Sequence, residues 1–124
     1  MKFNLFIPLF LLGIIMAAAS GCKDQSSAVN AANYSNAFLV DVRTPEEFAA
    51  GSATGAVNIP VDEVASRIEE FKGKEAVVVF CRSGNRSAQA LEILNSNGIT
   101  NVTNGGTWQQ VQAVVESHSS DASH

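Results

Sequence analysis

Cys81 lies in the stretch Phe80-Cys81-Arg82-Ser83-Gly84-Asn85-Arg86-Ser87, between the apolar run Ala76-Val77-Val78-Val79 and a segment of helical apolar spacing. That sets a lone thiol at a strand-to-helix turn, where three features favour its ionised form. The first amides of the following helix lack intrahelical partners and carry the positive end of its dipole. Gly84 takes a positive φ at no steric cost, so successive N–H groups curl into an anion-holding nest beneath the sulfur. Arg82 and Arg86 add fixed positive charge, a setting that lowers cysteine pKa values. The combination predicts a depressed pKa for Cys81 and a turn suited to a small anion. An inert buried cysteine is the competing reading, but it needs neither a glycine three residues on nor two flanking arginines.

The rest of the chain bounds what this thiol can belong to. With 124 residues, 46% of them hydrophobic and 16% charged, it holds one modest globular domain and no second core. A net charge of −4, with no Lys/Arg cluster away from Cys81, argues against nucleic acid as a partner. After Lys2, the apolar run Leu5–Ala19 is broken by Pro8 and Gly13 and ends in Ser20-Gly21-Cys22. It is shorter than the ~20 residues of a membrane-spanning helix and reads as an export signal over 1–21. Ala19-Ser20-Gly21-Cys22 resembles the lipobox of bacterial lipoproteins, with Ala19 where leucine is usual; lipidation of Cys22 would anchor the exported chain in the bacterial periplasm or cell envelope. Ordinary cleavage, leaving Cys22 a free thiol, is the alternative. If Cys22 is acylated, Cys81 has no intramolecular partner, since the chain holds two cysteines.

Residues 22–36, rich in Ser, Ala and Asn, read as a flexible tether, 37–116 as the domain, and 117–124 as a polar tail. His118 and His124 in that tail are assigned to solvent, and no metal is assigned to them. Phe38 to Val42 reads as a buried strand, and Thr44-Pro45-Glu46-Glu47 as the start of a short helix with Phe48 as its core residue. Ala56–Ile59 is a second strand ended by Pro60, followed by helical spacing from Asp62 to Phe71. Ala76–Phe80 has the unbroken apolar character of a central parallel strand. A helix after Cys81 stops at Asn97-Gly98, Asn101–Thr103 is a last strand, Asn104-Gly105-Gly106 a tight turn, and Thr107–Val115 a closing helix. Alternating β and α units imply a mainly parallel four- to five-stranded sheet with helices on both faces, and a ligand site beyond the carboxyl ends of its strands.

Four blocks in order, Asp41-Val42-Arg43-Thr44-Pro45-Glu46-Glu47-Phe48, Gly55-Ala56-Val57-Asn58-Ile59-Pro60, Cys81-Arg82-Ser83-Gly84-Asn85-Arg86-Ser87 and Gly105-Gly106, resemble the rhodanese family over about Phe38 to Val115. The chain is similar in particular to the minimal single-domain periplasmic phage-shock thiosulfate sulfurtransferase type. The resemblance implies a small α/β rhodanese-like domain with no metal or organic cofactor, and the chain is expected to be a monomer. It further implies that Cys81 takes a sulfane sulfur from thiosulfate and passes it, as a persulfide, to cyanide or a thiol acceptor. Arg82, Ser83, Gly84, Asn85 and Arg86 would then form the substrate cradle. Asp41 and Arg43 would be structural, with Arg43 paired to Glu46 or Glu47. The stretch Gly51-Ser52-Ala53-Thr54-Gly55 departs from the family at a position where many members carry histidine.

Two other functions compete. A cysteine phosphatase or arsenate reductase also uses a thiolate in an amide-lined loop, but only four residues separate Cys81 from Arg86, one fewer than in tyrosine-phosphatase loops, and Phe80 stands where those have histidine. A tethered persulfide carrier or interaction module with little turnover is the non-enzymatic reading.

Overall fold

The structure is a computed structural model that describes residues 31–122. The expected signal, Cys22 and residues 23–30 of the expected tether lie outside them, as does His124. Four strands form one wholly parallel sheet: β1 (Phe38–Asp41), β2 (Val57–Asn58), β3 (Val77–Cys81) and β4 (Val102–Thr107), in the order β2-β1-β3-β4. Three α-helices accompany them, α1 (Pro45–Ala50), α2 (Asn85–Ser96) and α3 (Trp108–Asp121), with 3-10 segments at Ala31–Asn36, Val61–Glu63 and Ala65–Phe71.

The central strand β3 is buried along its whole length, and its alternation sorts the core into two layers. Val77, Val79 and Cys81 face one side, with Val40, Val42, Phe71 and the α2 residues Ala90 and Leu94. Val78 and Phe80 face the other, with Leu39 and Val111 of α3. Each layer excludes water from one face of the sheet, which is how a chain this short buries both faces of a parallel sheet.

Several boundaries differ from the sequence expectation, each for a local reason. Residues 31–36, expected in the tether, form two turns of 3-10 helix, and Tyr34 packs into the α3-side layer. Asp62 to Phe71 is not one α-helix but two 3-10 segments with a break at Arg67 (φ −119°, ψ 27°). Side chains three apart eclipse in a 3-10 turn, so Val61 with Val64, and Ile68 with Phe71, reach the core without α geometry. Phe48 is only partly buried, and α1 contributes no buried residue. Asn104-Gly105-Gly106 is no turn: β4 continues through it with a bulge, Val79 pairing with Asn104 and Phe80 with Gly106. Finally, α3 runs through the expected polar tail to Asp121. Its start is held by a capping box between Thr107 and Gln110, and Ser117, Ser119 and Ser120 turn their hydroxyls back onto helix carbonyls. His118 is accordingly half-buried on α3 rather than solvated.

Candidate functional site

Cys81 is the last residue of β3, paired with Thr107, and the pleat turns its side chain toward α2. The chain then passes through Arg82 and Ser83 to Gly84, whose φ of +92° lets the backbone double back as the N-cap of α2. The amide of Gly84 donates to Cys81 Sγ at 2.9 Å, and the amides of Ser83 and Ser87 also act on the sulfur. Ser87, fully buried on the first turn of α2, places its hydroxyl 3.5 Å from Sγ. Burial pushes the thiol pKa up, but the Ser87 hydroxyl and the three amides outweigh it and lower it from 9.0 to about 7. Close to half of such thiols are ionised at neutral pH, against about one in a hundred at a pKa of 9.0.

Cys81 nonetheless has 0% of its surface exposed and sits in the buried layer with Val40, Val42, Ala90 and Leu94. Arg82, Ser83 and Asn85 are exposed on the outside of the turn. Arg86 is not turned to the sulfur as a free anion ligand. Its Nη1 and Nη2 donate to Glu47 Oε1 and Oε2 at 2.7 and 3.1 Å, which locks the start of α2 to the start of α1. The Arg86 hydrogen bonds hold the Glu47 carboxyl down at about 2.

The Glu47 pairing also corrects the expected partner of Arg43. Arg43 Nη2 and Nε bind the fully buried Asp41 carboxylate, the closest approach being 2.6 Å, and Nη2 also donates to Gly51 O at 2.7 Å. Ser52 donates to Asp41 Oδ2 at 2.7 Å, and the Arg43 guanidinium lies over Trp108. This buried cluster fixes the segment after β1, and hence the start of α1 that presents Glu47.

The sequence reading missed Asn104, which ties the bulge of β4 to the turn. Asn104 Nδ2 donates to Gly84 O at 3.1 Å, while its Oδ1 accepts from Gly106 N at 2.9 Å and from Ser87 Oγ at 2.7 Å. A polar residue directly before two glycines was the only sign of it, and Ser87, quoted with the loop, was not singled out. Gly105 has no room for a Cβ, which would meet Val111 Cγ2 at 2.7 Å and Val78 Cγ1 at 2.9 Å, so close packing of β4 against α3 needs glycine there. Elsewhere, a cavity of about 270 Å³ bordered by Tyr34, Leu39, Val115 and His118 lies on the α3 face, and neither Cys81 nor its loop lines it. Among the described residues no group of side chains is arranged to hold a metal ion.

The profile of the Rhodanese-like domain family matches residues 23–108. The Thiosulfate sulfurtransferase PspE of Escherichia coli is 42% identical over 74 residues, 58% of this chain and 71% of that one. The uncharacterised protein YqhL of Bacillus subtilis is 38% identical over 73 residues, and the chain spans 58% of its length. Among solved structures, a rhodanese with anions from Escherichia coli superposes with a TM-score of 0.56 at 38% identity, covering 60% of this chain and 89% of its own.

Proposed function

Because the chain belongs to the rhodanese-like domain family, we propose that it is a sulfurtransferase that moves sulfane sulfur through a persulfide on Cys81. The observation that carries the reading is the single thiol at the end of β3, held by three amides and the Ser87 hydroxyl with its pKa lowered to about 7. A thiolate is the attacking species in sulfur exchange, so this environment prepares the step the family performs.

Thiosulfate is the donor suggested by the name of the Escherichia coli relative. The Cys81 thiolate attacks its outer sulfur, a Cys81 S–S bond forms, the donor's S–S bond breaks, and sulfite leaves with the bonding electrons. The resulting persulfide anion is held by the amides that held the thiolate, and the positive end of α2 favours it for the same reason. A thiolate acceptor then attacks the outer sulfur, takes it away, and returns Cys81 to the thiolate; cyanide in the same role leaves as thiocyanate. Arg82, exposed beside the turn, supplies positive charge where a dianion must arrive, while the charge of Arg86 is matched by Glu47. The narrow turn, with four residues between Cys81 and Arg86, disfavours the phosphatase reading. Export under the 1–21 signal and lipid anchoring at Cys22 complete the proposal and place the reaction in the cell envelope.

The test is intact mass after exposure to thiosulfate, together with thiosulfate:cyanide turnover. The wild type should gain about +32 Da reversibly on Cys81 and turn over, and Cys81→Ser should do neither. Equal turnover of the two proteins, or adduct without turnover, would respectively remove Cys81 from the chemistry or leave the carrier reading.

A further inference from the structure

Ser87 has one hydroxyl proton and three acceptors around it: Asn104 Oδ1 at 2.7 Å, Gly84 O at 3.0 Å and Cys81 Sγ at 3.5 Å. The orientation of the Asn104 amide is fixed from outside, since Oδ1 must face the Gly106 N–H and Nδ2 then faces Gly84 O. Asn104 therefore offers Ser87 an acceptor and no donor. While Cys81 is a thiol, the Ser87 proton belongs on Asn104, and a Ser87 lone pair is left to accept from the S–H group. Once the sulfur is ionised it can only accept, and a lone pair facing it becomes unfavourable.

We propose that Ser87 is a further catalytic residue, a hydroxyl that rests on Asn104 in the thiol state and swings its proton onto the sulfur when the thiolate forms, with Asn104 positioning it. The swing leaves no acceptor stranded. Asn104 Oδ1 keeps the Gly106 amide, and Gly84 O keeps both Asn104 Nδ2 and the amide of Ala88 at 3.0 Å. No covalent bond changes: the thiol proton passes to water, and the Ser87 proton rotates about its own C–O bond. The inference deepens the sulfurtransferase reading, which supplies the need for a thiolate at this position.

The experiment follows iodoacetamide alkylation of the Cys81 peptide against pH in the full chain, for the wild type, Ser87→Ala, Asn104→Asp and the double variant. Ser87→Ala should raise the midpoint by about one pH unit, the effect of losing one hydrogen bond to a charged group. Asn104→Asp, whose carboxylate holds the Ser87 proton more firmly, should also raise it, and by less on top of Ser87→Ala, because the two residues act on one proton. A Ser87→Ala midpoint equal to the wild type's, or an Asn104→Asp effect identical with and without Ser87, overturns the proposal. Asn104 is exposed, so if Ser87→Ala loses its cooperative melt, an unchanged Asn104→Asp midpoint alone overturns it. The thiosulfate adduct is read separately: its absence from the wild type defeats the sulfurtransferase reading, whereas unchanged midpoints with the adduct intact defeat only the switch.

Discussion

Glu47→Gln isolates one interaction with unusual economy. Glu47 serves two purposes, closing the capping box of α1 through Thr44 and receiving both Nη atoms of Arg86. Glutamine closes a capping box as well as glutamate does, so the substitution removes the ion pair and spares the cap. The two side chains are 31% and 30% exposed, which keeps the pair well short of a buried bridge, while its two-pronged geometry puts it at the strong end of exposed ones. The expected loss is about 1 kcal/mol, or a melting temperature about 4–8 °C lower for a domain of this size. The pH dependence has a definite sign. In the folded protein the carboxyl titrates at about 2 instead of 4.5, so its contribution is complete above 4.5 and fades as pH falls toward 2. Thermal melts from pH 7 to pH 3 should therefore show a gap between wild type and variant that is constant near neutrality and narrows below pH 4.5. A gap of less than about 1 °C at pH 7, or one that persists unchanged at pH 3, would refute the claim that this pair ties α1 to α2.

Two further substitutions test what supports the site. Asp41→Ala should cost about 3–5 kcal/mol in urea unfolding, because it leaves the Arg43 guanidinium, only 5% exposed, without its charge partner; a cost under about 1 kcal/mol would mean that Gly51 O and Trp108 satisfy it alone. Gly105→Ala should cost about 1–3 kcal/mol by forcing a methyl between Val78 and Val111, and should slow alkylation of Cys81 through the displaced Asn104; wild-type stability would show that the bulge yields freely.

Much of this protein is legible along the chain because the signals are local. The Val-rich run of β3, the Thr44-Pro45 start of α1, the Asn97-Gly98 stop of α2 and the cysteine turn each declare themselves within a few residues, since strand burial, capping and positive φ are decided by near neighbours. Parallel pairing followed from the alternation of strand and helix, and the rhodanese resemblance from four ordered blocks. The errors share one cause. Whether 62–71 coils as α or 3-10, whether 104–106 turns or bulges, and whether 117–121 frays or stays helical depend on what packs against them.

Pairing of charges is likewise a matter of three dimensions: Arg43 chose the nearby buried Asp41, and Glu47 was left for Arg86, 39 positions away. The chain by itself determined that a thiol would stand at the head of a helix in a turn of amides. Only the tertiary structure determined how that thiol is tuned, because the hydroxyl beside it and the amide that aligns that hydroxyl come from α2 and β4, brought together by packing on opposite sides of the turn. Backbone preference acts over a few residues, whereas the competition of three acceptors for one proton exists only once those elements have met.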